Sequence, residues 1–101
     1  MSVHSVIIVW LKEPTNEEHI ARLTRACESL RDIPGVREVR FGPRAELDRV
    51  SPADDTFDFG TIVTFDSLQA ARDYGPHPIH QQAAQVNLQL VERFHSFYFE
   101  T

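Results

Sequence analysis

Cysteine is nearly absent from this sequence: Cys27 is the only one among 101 residues. A single thiol excludes an internal disulfide and any zinc motif built on cysteine pairs. It also fits a reducing, cytoplasmic setting. Positive charge is short as well, with ten Lys and Arg against fifteen Asp and Glu and a formal net charge of −5. Such a balance repels phosphate backbones and anionic lipid, so neither nucleic acid nor a membrane surface is an expected partner. Glycine is scarce, and no phosphate-cradling glycine pattern or nucleophile motif occurs. Long apolar runs are missing too. Val6–Leu11 is too short to span a bilayer and lacks the basic leader and small-residue cleavage site of a signal peptide. What is present suits one soluble domain with one core, 42% hydrophobic and 25% charged. A core this small gains from a partner.

Val3–Leu11, VHSVIIVWL, is β-branched and aromatic and carries the strongest strand signal. Both of its faces are apolar, Val3, Ile7, Val9 and Leu11 on one and Val6, Ile8 and Trp10 on the other, so both need cover. Pro14 ends it. Thr15 and Glu18 then have the spacing of a capping box, with Thr15 as N-cap. Ile20, Leu23, Cys27 and Leu30 make a single apolar stripe, and Pro34-Gly35 closes that helix. A weaker strand follows over Val36–Phe41, with Val36 and Phe41 apolar and Arg37, Glu38 and Arg40 wet. Gly42–Thr56 reads as a polar loop, long enough to be mobile or functional. Phe57–Phe65 alternates as a strand, with Phe57, Phe59, Thr61, Val63 and Phe65 on one side. Asp66 to about Tyr74 is a short helix broken by Gly75-Pro-His-Pro78. A second helix is expected from about Ile79 to Val91, and an aromatic strand over Phe94–Glu100.

This order predicts a single α+β domain over residues 1–101, ferredoxin-like β-α-β-β-α-β, with a four-stranded antiparallel sheet and its helices on one face. The other apolar face is then bare. A two-fold partner offering the same face is the simplest cover, so a homodimer closing into a dimeric α/β barrel is expected, with Ile7 and Val9 at the interface.

Histidine is the residue most suited to acid/base chemistry here. His19 is out of step with the helical stripe and is expected in solvent; His95 is expected to be structural. His4 interrupts an apolar strand face, and His77 and His80 flank Pro78 just after Tyr74. The segment Tyr74-Gly-Pro-His77-Pro78-Ile-His80, the preceding strand ending Val-Thr-Phe65, the strand with His4 and the exit Ile33-Pro34-Gly35-Val36 resemble the stress-responsive dimeric α/β-barrel (Dabb) family over nearly the whole chain. Most members have no assigned activity. One is a plant cyclase that closes a linear polyketide by aldol chemistry. The resemblance implies His80 as general base, Tyr74 as hydrogen-bond donor to the developing oxyanion and His4 as an orienting residue, with no cofactor. It also implies a small carbonyl or polyketide-like ligand. Some relatives hold a cation on backbone carbonyls, here near Leu30, Ile33 and Val36.

The chemistry stands on its own terms. Imidazole titrates near neutrality and can take a proton alpha to a carbonyl, while a phenol steadies the enolate. For the three side chains to meet, His4 must face the helices. Val6, Ile8 and Trp10 would then line the pocket with Leu23, Thr61, His77 and Val91. The departures from the plant enzyme are Leu23 and Ala26 in the first helix and Val91 at the end of the last. The plain alternatives are a helix-end Tyr74, a His77-Pro78 helix start and a His80 bonded to backbone. Metal binding by His77 and His80 has no further ligand within a few residues, and Cys27 suits a buried apolar role. Three functions therefore compete: a cofactor-free cyclase or isomerase, a non-catalytic stress protein acting by ligand binding or oligomerisation, and a cofactor-free oxygenase or haem-handling barrel.

Overall fold

A computed structural model describes residues 1–48 and 52–101. Strand β1 spans Val3–Leu11, helix α1 Glu17–Ser29, and a 3-10 turn Leu30–Asp32. Strands β2 (Val36–Pro43) and β3 (Phe59–Phe65) follow, then helices α2 (Leu68–Tyr74) and α3 (Pro78–Leu90) and strand β4 (Val91–Glu100). The sheet runs β2-β3-β1-β4 with every neighbouring pair antiparallel, the expected ferredoxin-like plan.

Local chemistry differs from expectation at several ends. Asn16, not Thr15, caps α1: its Oδ1 accepts the His19 amide at 3.1 Å, and Glu18 does not complete a box. An Asx side chain one residue later does the same job with a shorter reach. β3 begins at Phe59, and Phe57 packs instead against Trp10, on the opposite side from Phe59. In β2 the buried residue is Val39, because an irregularity between Val36 and Glu38 shifts the alternation. α3 ends at Leu90 and Val91 opens β4 with no intervening loop. The expected loop Gly42–Thr56 includes residues 49–51, which lie outside the described part.

The helix exit is sharper than a stop signal. Gly35 has φ +86°, and a Cβ there would stand 2.6 Å from the Ala70 Cβ at the start of α2. Gly35→Ala therefore meets both a left-handed backbone and a close side chain, and should cost about 1–3 kcal/mol. The urea midpoint of the variant measures this; an unchanged midpoint would contradict the packing.

The face assignment of β1 is the opposite of the one expected. Val3, Ser5, Val9 and Leu11 are buried beneath the helices, whereas His4, Val6, Ile8 and Trp10 point to the open side. Ile7 packs with Val9, Leu23, Cys27, Phe59 and Leu90 in the helix–sheet layer, so neither Ile7 nor Val9 is available to a partner. A second core cluster joins Val3, Leu30, Ile33, Val39, Val63, Phe65, Tyr74 and Ala83. Side chains alternate with a period of two, so a phase error of one exchanges the whole of each face. The open side carries Val6, Ile8 and Trp10 beside the β4 partners Phe97, His95 and Arg93, and Phe97 and Phe99 are half exposed.

Candidate functional site

Tyr74 and His80 come together because a helix breaks between them. Tyr74 is the last residue of α2, and Gly75–His77 turns the chain so that α3 starts at Pro78. His77 is the N-cap, its Nδ1 accepting the Ile79 amide at 3.1 Å, with Pro78 pre-set for the first helical position. The plain alternative for His77 thus holds, and its ring nitrogen is committed to the helix start. His80, three residues further on, lays its ring 4.4 Å from the Tyr74 ring, tilted by 49°.

The tautomer of His80 follows from its partner. Nδ1 lies 2.8 Å from the Gly75 carbonyl oxygen, which can only accept, so Nδ1 carries the proton. In the neutral ring Nε2 is then the acceptor, the form a general base requires. Gln81 Nε2 donates to the same carbonyl at 3.0 Å, which steadies the turn independently of His80.

Tyr74 is 2% exposed and meets Phe65 edge-on at 4.8 Å. Burial pushes its phenol well above the ordinary value, with smaller contributions from Tyr98 and Cys27. The neutral phenol is a hydrogen-bond donor, suited to an oxyanion and unsuited to act as a base. Ser5 lies opposite Val63 and Tyr98 in the sheet, on this helix-facing side, and its buried Oγ has no partner among the described residues.

His4 does not belong to this group. Its Nδ1 is 3.0 Å from Thr64 Oγ1, its Nε2 2.9 Å from Thr101 Oγ1, and its ring lies by Phe99 on the open face. The strand position facing the helices is held by Ser5, one residue along. Val6, Ile8 and Trp10 leave the expected pocket wall for the same reason. Trp10 is held there by a hydrogen bond to Thr56, and the Arg93 guanidinium sits 3.8 Å over its ring. Leu23, Thr61 and Val91 do lie in the helix–sheet layer, but Leu23 and Val91 pack in the other core cluster. Thr61 Oγ1 is 3.4 Å from Cys27 Sγ, a buried thiol whose pKa is raised chiefly by desolvation. On the open face His95 meets Trp10 edge-on and stacks on Phe97. His19 is not in solvent as expected: its side chain is only 23% exposed, with Nε2 3.7 Å from Glu13 and a buried Nδ1 that has no partner among the described residues. Among the described residues no cluster of three or more His, Cys, Asp or Glu could hold a metal ion. Among the described residues no helix is long and apolar enough to cross a membrane.

Clefts of about 450, 380 and 300 Å³ lie elsewhere on the chain, and neither Tyr74 nor His80 lines them. The pair is a packed contact.

The buried phenol and thiol have a consequence for stability. Both are raised in the folded state, so above the ordinary Cys and Tyr values the unfolded chain loses protons that the folded chain retains. Unfolding is then favoured as the pH rises, and this stabilisation fades from about pH 9 upward. Alkaline denaturation midpoints should show Tyr74→Phe falling less steeply than the parent above about pH 10. Parallel curves would contradict a buried neutral phenol.

The description "Stress responsive A/B Barrel Domain" belongs to a family model that matches residues 3–100. No curated protein matches the chain. Among solved structures, a Dabb family protein with a ferredoxin-like fold from Mesorhizobium loti is 22% identical, with a TM-score of 0.78, covering 99% of this chain and 96% of that one. A dimeric ferredoxin-like protein of unknown function from Thermobifida fusca is 18% identical, with a TM-score of 0.80, covering 100% and 92%. A hydroxynitrile lyase from Passiflora edulis is 18% identical, with a TM-score of 0.81, covering 97% and 91%. At these identities the structures bear on fold alone.

Proposed function

The chain belongs to the stress responsive A/B barrel domain family, and on that premise we propose a homodimeric barrel that binds a small carbonyl compound at Tyr74 and His80. The observation that carries the proposal is the His80 ring itself. It packs on a neutral phenol, with Nδ1 held by Gly75 and Nε2 left as acceptor. Nε2 takes a proton from the carbon next to the carbonyl. The C–H electrons form the enolate double bond, the carbonyl pair moves to oxygen, and the Tyr74 hydroxyl donates to that oxygen. The unpartnered Ser5 hydroxyl supports a polar ligand atom in the same layer and takes the place expected of His4. Ligand entry requires the packing between α2, α3 and β4 to loosen. The helix-facing side of β4 is the uncovered approach, with Phe94 and Tyr98 more than half exposed.

The homodimer follows from the open face. Val6, Ile8, Trp10, Phe97 and Phe99 make an apolar surface that water disfavours and a two-fold copy would cover. A dimeric relative of the same fold supports it.

One observation favours a second function, a stress protein without catalysis. Tyr74 sits in a filled core, with no cleft at its hydroxyl among those described. A screen of β-dicarbonyl and polyketide-like compounds with metal chelated separates the two. Binding followed by a cyclised or isomerised product supports the acid/base site. Absence of binding across the screen leaves the non-catalytic function.

A further inference from the structure

The largest of the described clefts, about 450 Å³, opens between the start of α1 and the adjoining ends of β2 and β3. This volume is within the range of small-molecule pockets. Its walls are Leu11, Ile20, Phe41 and Phe59, with the Phe41 and Phe59 rings stacked 6.1 Å apart at 21°. Thr24 and Asp58 supply polar atoms.

Asp58 is held on three sides. Its amide donates to Val9 at 2.9 Å, its carbonyl accepts from Arg44 at 3.2 Å, and its Oδ2 accepts from the Leu11 amide at 2.8 Å. No cation pairs with the carboxylate among the described residues. A fixed carboxylate beside stacked aromatic walls, on a chain of net charge −5, is electrostatically incomplete. An ammonium group complements it, and an aromatic or alkyl body fills the apolar remainder.

We propose that this cleft binds a small hydrophobic amine, with its ammonium on Asp58 and its apolar body against Phe41 and Phe59. The site is separate from Tyr74 and His80 and does not depend on their role.

Phenethylamine is a suitable probe and phenylacetate its charge-reversed counterpart, both tested on the whole chain at neutral pH. Amide NMR should show saturable shifts at Leu11, Thr24 and Phe59 with phenethylamine and none with phenylacetate. Asp58→Asn retains an acceptor for the Leu11 amide and should weaken binding about tenfold or more. Thr24→Phe fills the cleft and should abolish binding. It decides the matter if Asp58→Asn fails to fold. The proposal is overturned by equal binding of phenylacetate, by undiminished binding in either folded variant, or by no saturable shift at those amides.

Discussion

Ile8→Asp is expected to leave the chain folded but monomeric, whereas Val9→Asp, one residue away, is expected to unfold it. Ile8 is half-buried on the open face beside His95, where a carboxylate stays hydrated in the isolated chain. Bringing a second copy over it would strip that water without supplying a partner, at a cost of several kcal/mol. Val9 is 4% exposed in the packed layer with Leu23, Phe59 and Leu90. The same charge there opposes a total stability of only about 5–15 kcal/mol. Light scattering at micromolar concentration and circular dichroism separate the outcomes. A dimeric Ile8→Asp alongside a folded Val9→Asp would reverse the face assignment.

His80→Ala and Tyr74→Phe should each lower turnover of a carbonyl substrate by about a hundredfold or more. Neither change should unfold the protein. Gln81 still donates to Gly75 when His80 is removed, and phenylalanine keeps the Tyr74 packing against Phe65. The losses differ in kind. Removing the base stops proton abstraction, while removing the phenol leaves the enolate oxygen without a donor. Saturation kinetics on any substrate found by the screen check both, and turnover that survives both changes would contradict the mechanism.

The element order was legible because its punctuation is chemical. Pro14, Gly35 and Gly75–Pro78 end elements, and the apolar stripe of α1 has helical spacing. The Tyr74–His80 contact was legible too, since a helix break holds residues six apart in sequence against each other. What the sequence left undetermined was the phase of β1. With large apolar residues at odd and even positions alike, alternation cannot say which set meets the helices. The expectation that His4 faces the helices is therefore one residue out of phase, and Val6, Ile8 and Trp10 lie with it on the open face. The small polar Ser5 between Val3 and Ile7 held the missing signal. Opposite Val63, whose side of β3 alternates clearly, it marks the helix-facing set once the pairing register is known. Asp58 was missed because its role depends on long-range contacts with Val9 and Leu11 that no local pattern contains.

Deuterium incorporation next to a carbonyl tests the central claim most directly, since it isolates proton abstraction from every later step. With 4-phenyl-2-butanone in heavy water and metal chelated, the wild-type protein should accelerate exchange at the α-carbons with saturation in ketone. His80→Ala and Tyr74→Phe should return it to about the rate of buffer. Exchange no faster than buffer with the wild-type protein, or equal acceleration by both variants, would contradict the assignment of Tyr74 and His80 as an acid/base pair.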